Sequence, residues 1–122
     1  LEAGGVNRRH DVAQAAVDVA ALAPKARAGA LGTADTAESC FLVSNLGMLP
    51  IEGFDAIVYP EHAAALASGA VAPTPVALPD GSIAVRPMAR LTLTVDHRLV
   101  NGLAAARFLA AVKDFLEQGA FA

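Results

Sequence analysis

The sequence predicts an α/β fold, an α+β sandwich in which helices pack on a mixed sheet. Three observations predict it. An apolar stripe at three- and four-residue steps runs through residues 11–27, and a second one through Gly102–Gln118. Between them lie short runs with strand character. The clearest is the two-residue alternation of Ile83, Val85, Leu91, Leu93 and Val95. The predicted order is helix, four strands, helix.

Residues 1–10 lack a period, contain Gly4 and Gly5, and read as a loop. The first helix carries Val12, Ala15, Ala16, Val19, Leu22 and Ala23 on one stripe. Pro24 costs about 3 kcal/mol inside a helix, which predicts a kink or stop near Leu22. Gly29 and Gly32 end the helix in any case. Residues 33–39 are small and polar and read as a loop. The apolar run at residues 40–43 suits a buried strand.

Gly47, Pro50, Gly53 and Pro60 make residues 47–60 an irregular connection, with a short strand expected over 56–59. Residues 62–72 have helical propensity. The Ser68-Gly69 pair and the prolines beyond turn the expectation to a strand entering a turn. Residues 73–81 read as a turn region, in which Asp80-Gly81 is a hairpin signal. Pro87 places the following strand at an edge or a bulge. Asn101 is the expected N-cap of the last helix.

Composition bounds the function. With 122 residues the chain suits one domain. A net charge of −3 gives no basic excess for nucleic acid or an anionic membrane. Cys40 is the single cysteine, so an internal disulfide is impossible and a reducing compartment is expected. No apolar run has transmembrane length, and the first residues lack the plan of a signal peptide. The chain is 55% hydrophobic and 17% charged, with a mean hydropathy of +0.48. Two causes fit that surplus: alanine counted as hydrophobic, or a large subunit interface. Abundant alanine also predicts a thin core.

The site-like segment is Thr94-Val95-Asp96-His97-Arg98-Leu99-Val100-Asn101-Gly102. Polar residues cluster there between a strand and a helix, where a rigid scaffold displays functional groups. Histidine exchanges its proton near neutrality, so His97 suits a general base taking a proton from a thiol or hydroxyl. The plainer reading is a hydrogen-bonded surface histidine. Asp96 and Arg98 are ion-pair partners or a charged turn. Asn101 is a helix cap, an oriented amide, or both. Ser44 and Asn45 stand beyond a buried strand, where a hydroxyl could donate to an oxyanion or simply end the strand. His10 and His62 have no evident partner, and Cys40 reads as a small core residue. Neither metal-ligand spacing nor a phosphate-binding glycine loop is present.

Several of these segments together resemble one family. Asp96-His97-Arg98-Leu99-Val100-Asn101-Gly102 resembles the DHRxxDG signature of the 2-oxo acid dehydrogenase dihydrolipoamide acyltransferases. Phe41-Leu42-Val43-Ser44-Asn45-Leu46-Gly47-Met48 resembles their FTxSNLGM stretch. Residues 57–71 are similar to IxxPPxxAILxxGxI, and Ala106-Arg107-Phe108-Leu109 fits the final helix. Order and spacing agree over residues 10–122.

The resemblance implies a chloramphenicol acetyltransferase-like fold and acyl transfer between dihydrolipoamide and coenzyme A. It gives His97 the role of general base, Ser44 that of oxyanion donor, and Asn101 a place in the site. It lines the coenzyme A channel with Ser44, Asn45, Gly69 and Val71, where a glycine would let ligand approach the backbone. It implies a homotrimer with histidine and serine from different chains, built into a cubic or dodecahedral core. The implied partners are the 2-oxo acid dehydrogenase and dihydrolipoamide dehydrogenase components, and the implied location is the bacterial cytoplasm ahead of the mitochondrial matrix.

Asn101 replaces the signature's aspartate. It cannot carry charge but still donates and accepts hydrogen bonds. The resemblance implies that residues 1–122 correspond to the C-terminal part of one catalytic domain, with the lipoyl domain that carries the lipoyl group and the subunit-binding domain expected to lie outside them. The alternatives are a non-catalytic structural core homologue and a related small-molecule acetyltransferase.

Overall fold

A computed structural model describes residues 12–33, 35 and 39–119. The expectations for residues 1–10, including His10, and for much of the 33–39 loop lie outside the described residues. The described residues fall into two compact units, 12–35 in the first and 39–119 in the second.

The first unit holds α1 (Val12–Arg27). The helix does not stop near Leu22 but runs through Pro24. Proline removes one N–H and crowds the carbonyl four residues before it. That carbonyl belongs to Ala20, an exposed residue where water can satisfy it. The Pro24 carbonyl still accepts the Ala28 N–H at 3.1 Å. Lys25 then pairs with Asp35 at 3.2 Å, and Asp35 also accepts the Gly32 N–H at 3.0 Å, which shapes the turn after the helix.

The second unit is built on β1 (Phe41–Asn45), β2 (Ala64–Ser68), β3 (Ala72–Ala77), β4 (Ile83–Met88), β5 (Leu91–Val95) and α2 (Gly102–Gln118). One sheet has the order β1-β2-β5. β1 runs parallel to β2, with Ser44 level with Ala67, and β5 runs antiparallel, with Thr92 level with Ala67. The helix-prone stretch around 62–72 is therefore a central strand. Ladders on both sides satisfy its backbone, which outweighs the intrinsic helical preference of alanine. Leu42, Phe54 and Val58 pack against the buried Ala56, Ala65 and Ala67 on one face. On the other face Phe41 meets Phe108 of α2 edge-on, with centroids 5.6 Å apart. No strand forms over 56–59; that segment covers the sheet instead of joining it.

β3 and β4 form a separate two-stranded hairpin. The expected turn region at 73–81 is thus mostly strand, and only its end turns. Leu78 donates its N–H to Ser82 at 2.8 Å and accepts the Gly81 N–H at 2.9 Å, with Gly81 at φ 83°. Asp80 braces the turn by accepting the Ser82 N–H and hydroxyl. The Leu78–Ser82 bond sets which cross-strand pairs are bonded, and these alternate. Pro73, Pro75 and Pro87 all fall on the other pairs, so none interrupts the ladder. Pro87 sits at an edge, one of the two positions expected for it.

The core is as thin as the alanine content implies. Ala56, Ala64, Ala65 and Ala67 form the buried hydrophobic set among the described residues. Gly69 closes it. A Cβ there would collide with the Glu52 carbonyl, because the segment leaving β1 passes directly over the end of β2. Gly69→Ala in the full-length protein is therefore expected to cost about 1–3 kcal/mol through overpacking. Denaturant unfolding checks this, and an unchanged midpoint would show that the 46–52 segment yields freely.

Candidate active site

His97 stands on a turn fixed at both ends. Asp96 extends β5 by one bond, its N–H donating to the Ala63 carbonyl at 2.9 Å. The Asp96 carbonyl accepts the N–H groups of Leu99 at 2.9 Å and Val100 at 3.0 Å. Its carboxylate accepts the Arg98 N–H at 2.9 Å and the Arg98 Nε at 3.0 Å. The guanidinium adds a further bond through Nη2 at 2.5 Å. The Asp96 side chain is 14% exposed and that of Arg98 79%. The side-chain bonds from Arg98, then its backbone N–H, hold the Asp96 carboxyl down at about 2.

Beyond the turn Asn101 is extended at φ −80°, ψ 160°, and its Oδ1 accepts the Ala104 N–H at 2.9 Å. That is the expected N-cap. The cap uses the amide oxygen and leaves the amide nitrogen available. His97 lies between these anchors, with its residue exposed.

Ser44 and Asn45 lie elsewhere. β1 and β5 run in opposite directions, so the C-terminal end of β1 and the C-terminal end of β5 are at opposite ends of the sheet. From the register Ser44 lies about 13 Å along the strands and about 10 Å across them from the start of the His97 turn. Within one chain the two cannot meet. Ser44 is half-buried beside Ala67, and its hydroxyl has no hydrogen-bond partner among the described residues. Asn45 Oδ1 accepts the Gly47 N–H at 2.7 Å, which closes the turn after β1. A Cβ on Gly47 would press on that oxygen at 2.9 Å and on the Gly69 carbonyl at 3.1 Å.

The bare backbone of Gly69 is approached closely by the Glu52 carbonyl of the same chain. Val71 is 70% exposed. It lines an open groove of about 920 Å³ with Pro50, Glu52, Thr74, Met88 and Arg90. Glu52 and Arg90 pair across this groove at 2.8 Å. Sequence reasoning missed that pair, because its members are far apart in the chain and neither belongs to a motif.

Cys40 is also corrected. It is exposed rather than in the core. It precedes β1, where its carbonyl accepts the Ala63 N–H at 2.8 Å and only its backbone is tied in. His62 does have a neighbour, the Tyr59 ring, with centroids 6.0 Å apart, while its Nδ1 is buried without a hydrogen-bond partner among the described residues.

The comparisons with known proteins agree with this architecture. Residues 7–121 match the family model of the 2-oxoacid dehydrogenases acyltransferase catalytic domain. The chain belongs to that family. It is 40% identical over 103 residues to the lipoamide acyltransferase component of the branched-chain alpha-keto acid dehydrogenase complex of Bacillus subtilis, covering 84% of this chain and 24% of that protein. It is equally 40% identical over 102 residues to a probable dihydrolipoyllysine-residue succinyltransferase component of the 2-oxoglutarate dehydrogenase complex of Schizosaccharomyces pombe, covering 84% of this chain and 22% of that protein.

Among solved structures, a probable dihydrolipoamide acetyltransferase from Listeria monocytogenes superposes with a TM-score of 0.83 at 34% identity, over 90% of this chain and 47% of that one. Azotobacter vinelandii dihydrolipoamide acetyltransferase, investigated for the role of a serine, a histidine and an asparagine in its catalytic mechanism, superposes with a TM-score of 0.81 at 34% identity, over 88% of this chain and 44% of that one. The expected α/β fold class is borne out. The chain spans about a quarter of these curated relatives and under half of these solved chains.

Two outcomes follow for the His97 turn. Asn101→Ala is expected to lose about 1 kcal/mol of stability and Asn101→Asp almost none, since both asparagine and aspartate cap well. Denaturant melts of the two variants check this. The lowered Asp96 pKa makes its contribution to stability complete above the unfolded value near 4, and lost as pH falls toward about 2. The difference in unfolding midpoint between wild type and Asp96→Asn is therefore expected to shrink across that window.

Proposed function

We propose that this chain supplies catalytic-domain residues of a dihydrolipoamide acyltransferase, which moves an acyl group between dihydrolipoamide and coenzyme A. His97 takes the proton of the attacking thiol. The thiolate adds to the thioester carbonyl carbon, and Ser44 donates its hydroxyl to the resulting oxyanion. Collapse breaks the bond to the other sulfur, which receives the proton from His97. Asn101 holds the start of α2 and offers its amide nitrogen beside the histidine. Ser44, Asn45, Gly69 and Val71 are the proposed coenzyme A contacts, and Gly69 also lets the 46–52 segment pack down.

One observation carries the reading. The three residue types investigated in the Azotobacter vinelandii enzyme recur here in the same order. Its asparagine follows its histidine by four positions, as Asn101 follows His97, and its serine-to-histidine separation is one residue shorter than that of Ser44 and His97. The separation of Ser44 from His97 within one chain supports a site built between subunits, with histidine from one copy and serine from the next. A homotrimer satisfies that need, and a neighbour described as the cubic core of the pyruvate dehydrogenase multienzyme complex supports further assembly (35% identity, TM-score 0.81). The 2-oxo acid dehydrogenase and dihydrolipoamide dehydrogenase components would then be the partners.

The test is acyl transfer from acyl-CoA to dihydrolipoamide in the full-length assembled protein. His97→Ala is expected to lower kcat by about 10²–10⁴-fold and Ser44→Ala by about 10²–10³-fold, with assembly intact. An unchanged rate for His97→Ala overturns the general-base role. Trimers mixed from the two variants are expected to regain activity, since one of their interfaces pairs an intact His97 with an intact Ser44. Mixed trimers as inactive as either parent would overturn the shared site.

A further inference from the structure

The imidazole of His97 has no hydrogen bond to any described residue, so its position depends on the backbone beneath it. That backbone is organised by one residue. Asp96 gathers the N–H groups of Arg98, Leu99 and Val100, the first on its carboxylate and the other two on its carbonyl, while its own N–H is tied to Ala63. The turn therefore closes inward on Asp96 and leaves His97 on its outer side. Arg98 is largely exposed, and exposed ion pairs contribute little to stability. The part of Asp96 that matters for shape is its acceptor for a backbone N–H, an aspartate turn that sets the direction of the chain.

We infer that Asp96 is a positioning residue that acts through His97, by accepting the Arg98 N–H and so fixing the turn that presents the imidazole. The inference rests on the reading of His97 as the base. Small displacements of a reacting group cost rate out of proportion to their energy, up to about 10²-fold for 1 Å. Loss of the acceptor should therefore appear in kcat rather than in KM.

The experiment is a set of variants in the full-length assembled protein, assayed for acyl transfer from acyl-CoA to dihydrolipoamide. Asp96→Asn keeps an acceptor oxygen and is expected to stay within about threefold of the wild-type kcat, as is Arg98→Ala. Asp96→Ser offers a weaker acceptor and is expected to fall between Asn and Ala. Asp96→Ala is expected to lower kcat by about 10–100-fold with KM for both substrates unchanged. Added to His97→Ala, it is expected to lower the residual rate no further, because its effect passes through the imidazole.

Equal kcat for the Asn, Ser and Ala variants overturns the inference, as does an equal loss from Asp96→Ala with and without His97. If Asp96→Ala does not assemble, the order of Asn above Ser decides the question. A wild-type rate for His97→Ala would instead overturn the base, which is a separate failure seen in the single variant.

Discussion

The second unit depends on a central strand whose three buried side chains, at positions 64, 65 and 67, are all alanine. β2 is paired on both sides and covered on both faces, so its side chains must be small enough for the covering layers to close. Its direction fixes everything attached to it. β1 joins it in parallel and delivers Ser44 and Asn45 at one end, whereas β5 joins it antiparallel and delivers His97 at the other. Gly69 ends the strand at the point where the segment after β1 crosses, which a Cβ would block. A single small-residue strand thus sets both the separation of the two site halves and the closeness of the loop beside one of them.

The thin core and the apolar surface are two sides of the same composition. Alanine fills the centre, and larger side chains such as Val43, Ile57, Ile83 and Val85 remain 64%, 80%, 77% and 66% exposed. Exposed apolar side chains of this kind are suited to being covered by further protein. The site proposed here needs a second copy for a separate reason, because serine and histidine are at opposite ends of one sheet.

The acyl group is a different matter. Branched-chain and succinyl relatives are each 40% identical to this chain, so the residues it shares with them do not single out an acyl group. Discrimination among acyl groups depends on the shape of pocket walls, where one methylene is worth only about 1–3 kcal/mol.

The sequence by itself determined the local features. The amphipathic last helix, its Asn101 cap, the Asp80-Gly81 hairpin and the position of His97 between strand and helix all follow from residue types within a few positions of one another. The serine, histidine and asparagine of the proposed site were named for the same reason, since each lies in a short contiguous motif. Tertiary structure decided the rest. Helical propensity at 62–72 yields to two ladders, and prolines at 73, 75 and 87 join a strand because the register turns their missing N–H groups away. The 56–59 segment becomes a cover rather than a strand, Cys40 faces outward, and Glu52 finds Arg90 across the chain. These outcomes depend on which segments lie side by side, and hydrogen bonding and packing between distant residues are stronger than the propensities that a short window of sequence records.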